Sequence, residues 1–141
     1  MDERWLQIRS YHGPGFQPLV DFKDWRVAVL NYLDAIHPER NNRMERHTGT
    51  DEVFVLLKGQ GILIIGGDSS NVEGVSPQEM EAGVIYNVRQ GVWHTILLSQ
   101  DASVLIVEQA HTDEHNSEYA TLSPEFHRQI VEIAKCEPKF A

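Results

Sequence analysis

Between Trp25 and about Ala110, short runs of apolar or alternating residues are separated by Gly, Asp, Asn and Ser. Alternation places successive side chains on opposite faces of a strand, and many short strands divided by turn residues are typical of an antiparallel barrel or sandwich. The pattern therefore predicts an all-β body. The predicted strands are Trp25–Tyr32, Arg43–His47, Glu52–Leu57, Gly61–Ile65, a weak one near Asn71–Val75, Val84–Val88, Val92–Ser99 and Ser103–Gln109.

Two segments that contain glycine predict turns between these strands. Lys58-Gly59-Gln60-Gly61 separates two strongly apolar runs and indicates a hairpin turn that needs glycine backbone angles. Residues 66–71 are Gly, Asp, Ser and Asn only, a composition that predicts a second loop.

The two ends of the chain have different patterns. Ser123 is a suitable N-cap and Pro124 suits the first position of a helix. Apolar residues then recur at helical spacing on one stripe, namely Phe126, Ile130, Ile133 and Ala134. Residues 1–24 show no clear period, and we expect an arm that either covers the barrel or crosses to a second subunit. The predicted organisation is one domain: an arm at 1–24, a barrel at 25–120, and a C-terminal segment at 121–141 whose helix packs on the barrel.

Charge and composition narrow the range of partners. The chain has 12 basic and 21 acidic residues and a net charge of −9, so it would repel a nucleic-acid backbone. A small anionic ligand remains compatible, because a few arginines in a cleft outweigh the average surface field. No run approaches the roughly 20 apolar residues of a membrane helix, and the start of the chain is acidic and polar. With a single cysteine, Cys136, the expected location is the cytoplasm.

The residues that can carry chemistry lie in two stretches. Glu45 and His47 share one face of a predicted strand, whereas Arg46 points to the opposite face. Glu52 opens the next strand and is expected beside them. In the second stretch, Gly91 marks a turn and His94 enters a strand that can return to the same end of the barrel.

At these positions the chain resembles the cupin superfamily. Its first motif is His, any residue, His, three or four residues, Glu, six residues, Gly, and it is matched at His47, Glu52 and Gly59. Its second motif is matched at Gly83, Gly91 and His94. Glu45, Arg89 and Leu98 stand where the motifs have His, Pro and Asn. The resemblance spans about residues 43–98 and implies a single double-stranded β-helix, the cupin jelly-roll barrel.

The cupin resemblance also implies a metal site. In that family the motif histidines and glutamate hold a divalent ion, which carries over to His47, Glu52 and His94, with Glu45 able to supply a fourth donor. Such a set suits one ion of Mn, Fe, Ni or Zn, with positions open for substrate. The alternative is an empty site, since a carboxylate replaces an imidazole at Glu45.

A narrower resemblance to ureidoglycolate lyases rests on Glu45-Arg46-His47 and on the segment 83–94. These enzymes split ureidoglycolate into glyoxylate and urea, a reaction that needs a base, an acid and a cation for the carboxylate. His47 or His94 is the candidate base. Glu45 and Glu52, if close together, would raise each other's pKa so that one stays protonated as the acid.

The remaining candidates concern substrate binding. Arg43 shares the strand face of Glu45 and His47 and is the expected carboxylate clamp, unless it forms an ion pair with Glu45. Tyr86 and Trp93 are candidates for lining the pocket, or else belong to the core. The expected function is an enzyme that acts on a small carboxylated molecule by lyase, isomerase or hydrolase chemistry. The alternative is a noncatalytic cupin that binds or senses a small molecule. Either is expected to form a homodimer.

Overall fold

The structure, a computed structural model that describes residues 1–137 and 140, has mainly strands as its regular elements. In chain order its elements are β1 (Gly15–Phe22), β2 (Trp25–Asn31), a 3-10 turn (Asp34–Ile36), β3 (Arg43–His47), β4 (Glu52–Lys58), β5 (Gly61–Ile65), β6 (Ser76–Glu79), β7 (Ile85–Val88), β8 (His94–Leu98), β9 (Ser103–Gln109), β10 (Ser117–Thr121) and α1 (Pro124–Lys135).

The strands form two sheets of five, and every strand pair is antiparallel. The order is β1-β2-β9-β4-β7 in one sheet and β10-β3-β8-β5-β6 in the other. Strands that follow each other in sequence often lie in different sheets, as β3, β4 and β5 do. This arrangement is that of a cupin jelly roll and confirms the predicted fold class.

Three strands depart from the sequence-based prediction. β1 lies within the segment expected to be an arm, where Pro18 coincides with a shift of register that hides the alternation. β6 begins at Ser76, beyond the weak run near Asn71–Val75, and its four residues are all exposed. β10, at Ser117–Thr121, was not predicted, because an edge strand with mixed exposure has no clear apolar period.

The turn at Gly59 was predicted correctly in backbone terms but not in topology. Gly59 has φ of +75°, a value that favours glycine, and a Cβ atom there would lie 2.5 Å from Cα of Ala102. However, β4 and β5 belong to different sheets, so the segment is a crossing between sheets rather than a hairpin. Apolar character alone does not show which of two flanking strands is the hydrogen-bonded neighbour.

The two faces of the second sheet bury different sets of residues. Between the sheets lies a core that includes Leu63, Ile96 and Leu98. On the outer face, Ile62, Ile64 and Leu97 pack with α1 through residues of the predicted helical stripe, among them Ile130 and Ala134. Burial on both faces explains why β5 is a continuous apolar run rather than an alternating one.

The C-terminal helix begins as the sequence predicts. The side chain of Ser123 accepts a hydrogen bond from the backbone N–H of Phe126, and Pro124 occupies the first turn. Residues 138, 139 and 141 of the predicted segment lie outside the described residues. Within the described part of the chain, the helical segments fall short of the length and apolarity needed to cross a bilayer.

Candidate metal and ligand site

The space between the sheets has an apolar end and a polar end. Along β4, β8 and β9 the inward side chains are apolar except at one end of each strand, where Glu52, His94 and Glu108 lie. β3 adds Glu45 and His47 at the same end. Because these strands come from both sheets, the jelly-roll topology brings together residues that are far apart in sequence.

Four of these side chains converge on one centre. One donor atom from each of Glu45, His47, Glu52 and His94 lies within 4.8 Å of the others. Oε1 of Glu52 lies 2.9 Å from Nε2 of His47 and 2.9 Å from Nε2 of His94. Oε1 of Glu45 is farther away, at 3.8 and 4.0 Å from the same two nitrogens. Two imidazole nitrogens and two carboxylates are a suitable donor set for a divalent transition-metal ion.

The second nitrogen of each imidazole is also engaged. Nδ1 of His94 lies 2.9 Å from the carbonyl oxygen of Val92, and Nδ1 of His47 lies 2.8 Å from the hydroxyl of Ser117. The carbonyl can only accept, so Nδ1 of His94 donates and Nε2 carries the lone pair when the ring is neutral. This lone pair lies 2.9 Å from Oε1 of Glu52, which is also an acceptor. Two acceptors this close repel each other unless a proton or a metal ion binds to both. The cluster therefore fits a metal ion.

The charges within the cluster shift the pKa values of His47, Glu52 and His94. Burial alone would lower the pKa of each histidine, but the hydrogen bond and charge of Glu52 outweigh it, so the pKa of both His47 and His94 is raised. Burial would raise the pKa of Glu52, but hydrogen bonds from the two histidines lower it to about 2. The expectation that Glu45 would raise the pKa of Glu52 is therefore wrong, because the histidines dominate.

A carboxylate that the sequence analysis missed lies beside this cluster. Glu108 is buried on β9, and Arg26 holds its Oε1 at 2.7 Å. Burial and the charge of Glu52 raise the pKa of Glu108 to about 7. A signal was present in the sequence, since Glu108 continues the inward positions of Val104 and Ile106 on an otherwise apolar strand.

A cavity of about 730 Å³ connects the cluster to the surface. Apolar side chains supply much of its wall, including Phe16, Leu30, Ile36, Phe54 and Ile106. Its polar lining includes the four clustered residues and Glu108. Such a cavity suits a small organic molecule with an apolar part and a polar group that reaches the cluster.

Arg43 is the candidate clamp that the structure places at this cavity. It lines the cavity, and its guanidinium lies 4.7 Å from the ring centroid of Tyr119, which also lines it. Among the residues that the structure describes, Arg43 has no ion pair with Glu45 within 4 Å. Arg46 points to the other face, where it pairs with Glu118 and stacks on Trp93.

Tyr86 and Trp93 lie away from the cavity wall. Trp93 precedes His94, so strand alternation turns it outward into the core beneath α1. Tyr86 packs on the core between the sheets, and its hydroxyl accepts a hydrogen bond from the backbone N–H of Glu81. This placement corrects the expectation that they line the pocket, since strand parity and depth direct both rings into cores.

Solved structures with a similar fold are distant in sequence. Streptomyces Pac13, in a variant bound to uridine, aligns with a TM-score of 0.54 at 11% identity, covering 82% of this chain and 85% of that one. A cupin-2 domain protein of Shewanella frigidimarina aligns with a TM-score of 0.52 at 16% identity, covering 70% and 84%. A structure described as Fe(II) HppE aligns with a TM-score of 0.51 at 17% identity, covering 67% and 48%. These likenesses support the fold.

Comparison of the sequence with family models identifies the family of the chain. No curated protein sequence is significantly similar to the chain. In contrast, the model of the family described as auxin binding protein matches residues 23–107, which is more than half of the chain and includes Glu45, His47, Glu52 and His94. The matched segment begins just before β2 and ends within β9. The chain therefore belongs to the auxin-binding protein family and has the cupin fold.

Proposed function

We propose that this chain binds one divalent metal ion through Glu45, His47, Glu52 and His94 and acts on a small carboxylic acid held in the adjoining cavity. The observation that carries the proposal is the convergence of two histidine Nε2 atoms on one carboxylate oxygen, each at 2.9 Å. The donor set suits Mn, Fe, Ni or Zn, and a bound ion would act as a Lewis acid toward a substrate oxygen. The name of the matched family and the iron in the description of HppE agree with a ligand-binding, metal-holding cupin.

A carboxylate is the proposed polar group of the ligand because of the charges around the cavity. Arg43 lies in the cavity wall without a carboxylate partner among the described residues, whereas Arg26 is already committed to Glu108. The apolar wall offers space for the rest of the molecule. In this arrangement Arg43 binds and orients the carboxylate, and the apolar side chains exclude water from the cluster.

Lyase-type turnover is the catalytic form of this proposal. Cleavage of a hydroxy-urea adduct such as ureidoglycolate needs groups that move protons at the hydroxyl and at the departing nitrogen. Glu45 is the least constrained carboxylate of the cluster, since its side chain is 38% exposed and its oxygen lies 3.8 Å or more from both histidines. In the metal-loaded form, His47, Glu52 and His94 would hold the ion and Glu45 is the proposed acid. His47 or His94 is the proposed base in the metal-free site, because a bound ion would occupy the lone pairs of both Nε2 atoms.

The noncatalytic alternative uses the same cavity. It is favoured by the extent of apolar wall, which suits retention of an apolar acid better than the turnover of a very polar one. The two forms are separated by incubating the protein, both metal-free and metal-loaded, with ureidoglycolate and with phenylacetate. Release of glyoxylate and urea, followed by NMR, supports the enzyme, whereas calorimetric binding of phenylacetate without turnover of either acid supports the binding protein.

A homodimer in the cytoplasm stays a prediction. Its support is that β1 is an edge strand with exposed Phe22, and that Trp25 at the start of β2 is exposed beside it. Light scattering coupled to size-exclusion chromatography tests the oligomeric state directly. A mass near 16.1 kDa at micromolar concentration would exclude the dimer.

A further inference from the structure

One buried oxygen in the cavity has no hydrogen-bond partner among the described residues: Oε2 of Glu108. The side chain of Glu108 is only 3% exposed, and the residue lines the cavity. Buried acceptors are almost always satisfied, and leaving one unpaired is unfavourable. An unpaired acceptor at a cavity wall therefore points to a donor that arrives with a ligand.

Glu108 is held rigidly by a residue that uses only its other oxygen. Arg26 on β2 is directly opposite Glu108 on β9, and its Nε and Nη2 donate to Oε1 at 3.1 and 2.7 Å. The guanidinium also donates to the carbonyl oxygens of Ala110 and Thr112. Arg26 is thus fixed at several points, and the carboxylate that it holds cannot turn Oε2 away without losing these bonds.

The free oxygen lies close to the metal donors without being one of them. Oε2 of Glu108 lies 3.9 Å from Nε2 of His47, which is too long for a hydrogen bond. The four-residue donor cluster does not include Glu108. A ligand at the cluster would therefore present its neighbouring atoms to Oε2.

We propose that Glu108, positioned by Arg26, is a specificity-determining residue that accepts a hydrogen bond from a hydroxyl or N–H group on the carbon next to the ligand's carboxylate. The ligand class is then a 2-hydroxy acid, or an acid that carries an N–H group at that carbon. This inference rests on the proposed function, because it assumes a carboxylic acid in the cavity. The competing interpretation is a purely structural ion pair that ties β2 to β9.

The test compares two acids that differ only at that carbon. Each enantiomer of mandelate carries a hydroxyl, whereas phenylglyoxylate carries a carbonyl that can only accept, and the apolar wall suits their phenyl group. Their affinities for the Mn(II)-loaded protein are measured by calorimetry at about pH 8, where Glu108, whose pKa is about 7, is ionised and can only accept. Phenylacetate is the reference carboxylate. For the wild type we expect at least one enantiomer of mandelate to bind about tenfold or more tightly than phenylglyoxylate.

The substitution Glu108→Gln reverses the polarity of the free group. Arg26 offers only donors, so it keeps the amide oxygen and leaves the NH₂ group facing the cavity. The mandelate preference should fall to about onefold or invert in favour of phenylglyoxylate. A structural ion pair would weaken both acids equally. The ratio of the two affinities within one variant does not depend on the fraction of folded protein.

Glu118→Gln is the matched control. Glu118 is likewise held by an arginine, Arg46, at 2.8 Å, but its side chain is 51% exposed and does not line the cavity. This variant should keep the wild-type ratio. If Glu108→Gln does not fold, Glu108→Asp withdraws the oxygen by one methylene and should reduce the ratio toward one.

The outcomes separate this inference from the proposed function. If Glu108→Gln keeps the wild-type ratio, or if the wild type binds mandelate and phenylglyoxylate equally, the inference is overturned while carboxylate binding stands. If the wild type binds Mn(II) but none of the three acids, the proposed carboxylate site fails and the inference fails with it. Loss of the preference in Glu108→Gln, with its retention in Glu118→Gln, supports it.

Discussion

The imidazole Nδ1 of His94 donates a hydrogen bond to the carbonyl oxygen of Val92 at 2.9 Å, and this contact fixes the tautomer of the histidine. In the neutral ring, Nε2 then carries a lone pair directed at Oε1 of Glu52. In the metal-free protein, a proton shared between Nε2 of His94 and Oε1 of Glu52 satisfies these two acceptors. A metal ion would replace that proton and would also bind Nε2 of His47. The carbonyl of Val92 therefore orients the ring of His94 so that its Nε2 lone pair is available to a cation.

The first prediction concerns metal binding. Mn(II), Fe(II), Ni(II) or Zn(II) should raise the melting temperature of the wild type by mass action. At a metal concentration of about 100 times the dissociation constant, the free energy of unfolding should increase by about 2.7 kcal/mol. His94→Ala should abolish the shift because it removes the donor with the fixed tautomer. Differential scanning fluorimetry with each metal is the measurement.

His115→Ala is the control for that experiment. The side chain of His115 is 86% exposed in the loop before β10, where it pairs with nearby Asp113. It should keep the full wild-type shift. A shift that persists in His94→Ala would place the metal elsewhere, and no shift with any of the four metals would favour the empty site.

The second prediction concerns the carboxylate of the ligand. Arg43→Ala should weaken binding of phenylacetate to the metal-loaded protein about tenfold or more, because a charge-assisted contact is lost. The thermal shift with metal alone should remain. Arg89→Ala is the control, since Arg89 is an exposed arginine that does not line the cavity. Equal phenylacetate affinity in Arg43→Ala and Arg89→Ala would remove Arg43 from the site.

Sequence patterns predicted most of the fold because the buried strands have strong periods. The bounds of β3, β5 and β9 agree with the prediction to the residue. β1, β6 and β10 were missed or displaced because edge strands satisfy only one neighbour and need little apolar alternation. The crossing at Gly59 was mistaken for a hairpin because sheet membership depends on long-range pairing.

The site was predicted unevenly for a related reason. Motif spacing and strand parity predicted that Glu45, His47 and His94 lie together at one end of the barrel, and in the structure they do. Glu108 was missed because it lies outside both motifs, and its place beside the cluster depends on the long-range pairing of β9 with β4 and on the approach of β3 from the other sheet. For Trp93 the sequence analysis left both the pocket and the core open, and the structure has it in the core because neighbours on a strand, such as Trp93 and His94, face opposite sides.

The third prediction is a pH dependence of the metal-free protein. Burial and the charge of Glu52 raise the pKa of Glu108 to about 7 from an ordinary 4.5, so the folded state keeps a proton that the unfolded state has released. The free energy of unfolding should therefore fall as pH rises from about 5 to 8, by at most about 3 kcal/mol from this group. The raised pKa values of His47 and His94 act in the same direction. The lowered pKa of Glu52 acts only below about pH 4.5.

Chemical denaturation between pH 5 and 8, with chelator present, measures this dependence. Glu108→Gln should show a smaller decline, because the titrating carboxyl is gone, whereas Glu118→Gln should decline like the wild type. Identical slopes in Glu108→Gln and the wild type would mean that Glu108 does not take up the proton.

The fourth prediction tests the crossing between the sheets. Gly59→Ala should lower the free energy of unfolding by about 2–4 kcal/mol, because φ is +75° and the new methyl group would meet the backbone of Ala102. Gly74→Ala is the matched control, since its Cβ would have no atom within 4 Å. It should change stability by less than about 1 kcal/mol. Similar losses in the two variants would argue against a strained, closely packed crossing at Gly59.

The last prediction separates the enzyme from the binding protein through Glu45. Glu52 is committed to two histidines and its pKa is lowered to about 2, so it stays ionised and cannot serve as the acid. Glu45→Gln keeps the shape of the side chain but removes its ionisable proton. In an enzyme it should reduce turnover of ureidoglycolate about 100-fold or more while the melting temperature of the metal-free protein stays near that of Glu118→Gln. In a binding protein it should leave the affinity for phenylacetate unchanged or improve it, because a negative charge beside an anionic ligand has gone. Glyoxylate release and calorimetry on the same preparations measure both quantities. If the wild type binds phenylacetate but releases no glyoxylate between pH 6 and 9, either without metal or with any of the four metals, the lyase assignment falls and ligand binding remains.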